Sequence, residues 1–133
     1  MSAASTIHSG RRAALGLMLD YGTASRPTGG YVYDPGTGQD VAATADLFVS
    51  RCKVQMSGRL NSTVEVGART AVELAPVLHL PADTDPLEVG DLFTVTDPHP
   101  LSLIPAGRTY RVVAPFEKGL ATARRYDVEV VVS

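Results

Sequence analysis

Leu87-Glu88-Val89-Gly90-Asp91-Leu92-Phe93-Thr94-Val95-Thr96-Asp97 is the first of three β-rich runs that decide the fold. The second is Gly107-Arg108-Thr109-Tyr110-Arg111-Val112-Val113, and the third runs from Ala123 to Val132. Pro- and Gly-rich punctuation separates them, which is the outline of an antiparallel meander. In the third run Tyr126, Val128, Val130 and Val132 alternate with Asp127, Glu129 and Ser133, and Val131 is the one apolar exception. A period of two sends the first set to a core face and the second toward water.

Moving upstream, Pro81–Pro86 is a turn leading into Val89-Gly90-Asp91, where Asp91 supports the turn through its side chain. Arg69–Leu80 carries Val72, Leu74, Val77, Leu78 and Leu80 but is interrupted by Pro76. Proline cannot donate to a ladder, so this run is an edge strand, a bulge, or two strands joined at a kink. Gly58–Gly67 reads as a turn followed by a short extended piece, Thr63–Val66. In Leu47–Ser57, Cys52, Val54 and Met56 alternate with Arg51, Lys53 and Gln55, giving a half-buried strand with Cys52 on its apolar side. A buried structural thiol is the expectation there.

Pro27–Ala45 reads PTGGYVYDPGTGQDVAATA, with two Pro, four Gly and few large aliphatics. Tyr21–Arg26 before it suggests a short strand, Tyr31-Val32-Tyr33 a brief one, and Asp34-Pro35-Gly36-Thr37-Gly38 is turn chemistry. The expectation is a long loop acting through a partner, with Pro27, Gly29, Gly30, Tyr31, Tyr33, Asp34, Gly36, Gly38 and Asp40 as its candidate residues. A second long connection, Asp97–Gly107, offers Asp97, His99, Leu101, Leu103 and Ile104 as a candidate docking loop.

Residues 5–19 are the one convincing helix, capped by Ser5 or Thr6 and ended by Gly22. Ile7, Ala14, Met18 and Tyr21 share a stripe that Leu15 and Leu19 widen. Gly10 and Gly16 weaken it by roughly 1 kcal/mol each relative to Ala, so it needs packing against its own barrel or against a neighbouring subunit. For the second case Ile7, Arg11, Arg12, Leu15 and Met18 are the candidates.

The bulk properties suit this picture. A chain of 133 residues is most economically one domain, and 44% hydrophobic with 20% charged residues is ordinary for a globular protein. Twelve Gly and nine Pro without periodicity imply many turns. The expected fold class is all-β, a small barrel or sandwich of antiparallel strands with one N-terminal helix and long loops. Net charge is −2, and no basic block exists beyond Arg11-Arg12 and Arg124-Arg125. On a strand the latter pair faces opposite ways, so charge does not advertise nucleic-acid binding.

A single cysteine excludes an internal disulfide framework and a multi-cysteine zinc site. No apolar run approaches ~18 residues and the amino terminus lacks a long apolar core, so neither a membrane span nor a signal peptide is expected. There is no phosphate loop, nucleophile elbow or paired metal spacing, and His8, His79 and His99 lie far apart. No enzyme, metal or cofactor is expected.

Taken in order, the helix, the Pro-Thr-Gly segment, the strand around Cys52, then "LHLPADTDPLEVGDLFTVTD", "GRTYRVV" and "TARRYDVEVV" resemble the small head-completion proteins of long-tailed bacteriophages. The similarity is greatest to head-to-tail stoppers from phages of actinobacteria. The resemblance implies a virion protein of the neck, made in the host cytoplasm. Its copies would form a ring, a hexamer or dodecamer, below the portal and adaptor and above the tail terminator or tail tube. Double-stranded DNA would pass without sequence-specific binding, and no membrane would be involved. It also implies that a loop from each subunit projects into the channel, the position Pro27–Ala45 would fill. A tail terminator or another connector ring makes the same sequence demands. A nucleic-acid-binding small barrel is a further alternative.

Overall fold

The computed structural model describes residues 2–66, 69–116 and 121–131, with the side chains of 56–75 and of 116 outside that description. The chain runs α1 (Ala3–Gly16), β1 (Asp20–Asp34), β2 (Gln39–Val66), β3 (Arg69–Pro81), β4 (Leu92–Asp97), β5 (Thr109–Phe116) and β6 (Ala123–Val130). The strands follow the order β1-β2-β3-β6-β5-β4 in one antiparallel sheet, and β4 closes back onto β1 to make a staggered barrel. The all-β class with one N-terminal helix is therefore what the chain adopts.

The core fills the closed part of this sheet. Phe93 and Val95 from β4, Tyr110 and Val112 from β5, Tyr126 and Val128 from β6, and Leu78 and Leu80 from β3 are all buried there. Those of β4, β5 and β6 arise from the alternation in the three decisive runs, and Leu78 and Leu80 from the same period of two in β3. The Tyr126 hydroxyl accepts from the Leu87 N–H at 3.1 Å, which satisfies a polar end inside an apolar cluster.

Two facings in β6 depart from expectation. Val130 is substantially exposed at the strand's end, while Asp127 is buried. Asp127 sits mid-sheet between Val77 of β3 and Ala114 of β5, beside a bulge that inserts an extra β5 residue after Val112. A bulge shifts facings locally, which simple alternation cannot anticipate. The expected facings of Met56, Val132 and Ser133 lie outside the described residues.

Further boundaries differ. The helix starts earlier, because the Ser2 side chain accepts from the Ser5 N–H at 3.1 Å and the good helix formers Ala3 and Ala4 follow it. It stops at Gly16, with Leu17 as its C-cap, and Gly22 lies inside β1 instead of ending the helix. The proposed turn at 58–62 is a register shift inside one long strand, since β2 continues to Val66 opposite Arg69. Pro76 falls where β3 pairs with β2 alone, because pairing to β6 begins at Val77, so its missing N–H costs no second ladder.

Closure of the barrel requires β1 and β4 to approach closely at Gly22. A Cβ there would overlap the Phe93 ring and the Thr94 carbonyl oxygen. Gly22→Ala should therefore destabilise the protein by about 1–3 kcal/mol through overpacking. Gly16→Ala, which meets nothing within 4 Å, should be neutral or stabilising through helix propensity. Thermal melts of the two variants are the check, and equal midpoints would contradict the β1–β4 closure.

Candidate docking surfaces

β1 belongs to the barrel over only part of its length. It pairs with β4 from Tyr21 to Ser25, and beyond that its partner is β2 alone. Arg26 marks the departure. Its Nε donates to Asp91 Oδ1 at 2.8 Å and its Nη2 to Asp91 Oδ2 at 2.9 Å, a two-pronged ion pair. Asp91 Oδ2 also accepts from the Glu88 N–H at 2.7 Å, so the expected turn role of Asp91 is present and a second role is added. Burial pushes the Asp91 carboxyl up, but Arg26 and the Glu88 N–H together hold it below the usual carboxylate range.

Past Arg26 the two strands form an arm. The long loop expected over 27–45 is instead a β-hairpin, with Tyr31 opposite Ala42, Val32 opposite Val41 and Tyr33 opposite Asp40. Pro27, Thr28, Gly29 and Gly30 lie at a register shift between the Pro27 and Tyr31 pairs, where no complete ladder is demanded. Gly29 takes a φ of 85° there. Asp34 builds the turn. Its Oδ1 accepts from the Gly36 N–H at 2.9 Å, its Oδ2 from the Thr37 hydroxyl at 3.2 Å, and its backbone oxygen from the Gly38 N–H at 2.8 Å. Tyr31 and Tyr33 lie on one face, 75% and 62% exposed, while Val32 and Val41 are exposed on the other. The arm is thus apolar on both faces, and among the described residues neither face is covered.

A second surface lies at the opposite end of β1. Asp20 is buried, and it holds the β4–β5 connection: Oδ1 accepts from the His99 N–H at 2.8 Å and Oδ2 from the Ser102 hydroxyl at 3.0 Å. Within the connection, His99 Nδ1 accepts from the Leu101 N–H at 3.1 Å and Ser102 Oγ from the Ile104 N–H at 3.2 Å. Ile104 packs against the core, whereas Leu101 and Leu103 are 84% and 97% exposed on a tied-down backbone. With exposed Leu17 and Leu19 they line a groove together with Lys53 and with Val54, which packs against the core. Asp97 is exposed at the end of β4, opposite Tyr21.

Register then assembles what the sequence scattered. Lys53 pairs with His79 across β2 and β3, and His79 with Arg125 across β3 and β6. Like charges directly opposite are unfavourable on a sheet, so a protonated His79 is disfavoured between Lys53 and Arg125. Burial, then the charges of Arg125 and Lys53, lower its pKa from 6.5. Arg51, next along β2, places its guanidinium 5.8 Å from the Tyr21 ring centre and donates from Nε to the Tyr21 hydroxyl at 3.0 Å.

Two of the helix candidates make contacts within the chain. Arg11 Nε donates to the Ala121 carbonyl at 3.2 Å, and Met18 is buried just past the helix end. Ile7 and Leu15 are half-buried, and Arg12 is exposed. Cys52 is buried, and desolvation, with the Asp20 charge behind it, pushes its thiol up to about 12, far from a thiolate at neutral pH. Among the described residues no group of three or more His, Cys, Asp or Glu is placed to hold a metal ion. Asp20, Ser102, Arg26, Leu17, Leu19 and the Lys53–His79–Arg125 row were not singled out as site residues by sequence, since each acts through partners distant in the chain.

The chain belongs to a family of unknown function, DUF6093, whose model matches residues 10–129. Neither a curated protein nor a solved structure matches it.

Because the folded chain holds His79 below its ordinary pKa, the unfolded chain takes up that proton first as pH falls. The contribution of neutral His79 is intact above about pH 6.5 and is lost progressively below it. Thermal midpoints measured from pH 7.5 to pH 5 should therefore fall less steeply for His79→Gln than for the native chain. Parallel curves would show that Lys53 and Arg125 do not act on this imidazole.

Proposed function

We propose that this chain is a structural virion protein of a bacteriophage neck, a head-to-tail stopper. Its copies form a ring that extends the DNA channel below the portal and adaptor, helps retain packaged DNA and docks the tail. It works as a scaffold and not as an enzyme. The observation that carries the reading is the arm: a two-stranded ribbon, apolar on both faces, leaving a closed barrel at a clamped point. A subunit that acted alone would gain nothing from leaving Tyr31, Val32, Tyr33 and Val41 in water. A ring subunit requires such reach beyond its own barrel.

The ordered resemblance to head-completion proteins and the mildly acidic net charge of −2 support the same reading, since a channel that passes DNA should not grip it. Two apolar faces suit a link between subunits better than a plug standing in an aqueous channel. The Leu101–Leu103 edge is the second contact surface of the ring subunit.

The test is complementation. A phage whose copy of this gene carries an early stop codon should yield heads that lose DNA and tails that stay unattached. Supplying the native chain in trans should restore plaques. A chain lacking Tyr31–Ala42 should keep its thermal midpoint, because shortening a projecting hairpin costs little, yet fail to complement. Normal virions from the stop-codon phage would overturn the proposal, and full rescue by the trimmed chain would remove the arm from it.

A further inference from the structure

The arm and the leucine groove occupy opposite ends of β1, and their chemistries match. The arm offers aromatic and aliphatic side chains ending in two carboxylates, Asp34 and Asp40, and its tip from 34 to 40 contains no cation. The groove offers exposed leucines ending in Lys53, from which the register runs through neutral His79 to a second cation, Arg125. Asp40 is thirteen residues from Lys53 along β2 (53 minus 40), about 40 Å at about 3.3 Å per residue, so the tip does not reach its own row.

We infer that the arm of one copy seats in the leucine groove of the next, with Asp34 and Asp40 set against the Lys53–His79–Arg125 row. Apolar burial supplies the affinity, and the charges set direction and register. Lys53 and Arg125, which flank neutral His79 across the sheet, then meet opposite charge between two copies. Because donor and acceptor surfaces are different patches, the contact is heterologous, and such contacts close into rings when the rotation permits. This deepens the neck-ring reading but is testable apart from it.

The test exchanges charges. One variant reverses the arm (Gln39→Lys with Asp40→Lys, leaving Asp34 to tie the turn), and another reverses the row (Lys53→Glu with Arg125→Glu). Each alone pairs like with like and should lose at least about tenfold in self-association at low salt, read by sedimentation. Mixed one to one, arm-reversed and row-reversed chains match at both kinds of contact, so association should return. A zero-length carboxylate–amine coupling reagent, applied to a mixture of light and heavy-isotope native chains, should join Asp40 of one copy to Lys53 of another.

Failure of the mixture to restore association, or coupling only within single chains, would overturn the contact. So would row-reversed chains that associate normally while losing retention on short double-stranded DNA, which would make the row a phosphate-binding surface instead. If either reversed variant melts early, the neutral pair Lys53→Gln with Arg125→Gln repeats the sedimentation test, and unchanged association there also overturns it. A neck ring that assembles in particles despite both reversals sinks the contact and leaves the proposed function standing. Restored association with a stop-codon phage that stays infectious does the opposite.

Discussion

The ion pair between Arg26 and Asp91 sits where the two halves of this molecule meet. A closed sheet must satisfy both edges of every strand, and β1 is satisfied on both sides only as far as Ser25. Asp91, immediately before β4, is 2% exposed and would be costly to bury as a lone charge. Arg26 answers that charge with two hydrogen bonds and the Glu88 N–H answers it with a third. The same contact fixes the residue at which β1 stops belonging to the barrel and begins to belong to the arm.

At the other end of the paired segment, Asp20 does for the β4–β5 connection what Asp91 does for the arm's base. A buried carboxylate gathers donors from a connection that has no ladder of its own, and Leu101 and Leu103 are displayed on a backbone held by those bonds. β1 thus carries a direction. The groove lies at its start and the arm at its end, separated by the closed sheet that holds both. A chain shaped this way carries two different exposed apolar patches at opposite ends of one strand, the arrangement that a head-to-tail contact uses.

Much of the barrel was legible because alternation is local. Phe93, Val95, Tyr110, Val112, Tyr126 and Val128 are buried where a period of two places them. The arm was misread for an equally local reason. Pro27 and the Gly29–Gly30 pair are breakers in sequence, but in the sheet they are absorbed by one register shift, and the strands resume on either side. The helix start moved because Ser2, Ser5 and Thr6 are interchangeable as caps on paper, whereas only Ser2 is followed directly by two alanines. Burial of Asp127 depended on a bulge in another strand. The Arg124–Arg125 pair is no patch in sequence because its members face opposite ways; Arg125 instead aligns with Lys53 of β2 and His79 of β3, and only the register brings them together. Alternation within a strand is visible in sequence, but alignment between strands is not.

The central claim is that the two ends of β1 are the interfaces. Hydrogen–deuterium exchange, comparing the dilute chain with its assembled form, tests this most directly. Protection on assembly should rise at 31–33 and 40–42 on the arm and at 99–104 in the β4–β5 connection, with amides of β5 unchanged. Protection that rises on α1 or on β5, while both ends of β1 exchange as before, would contradict the account.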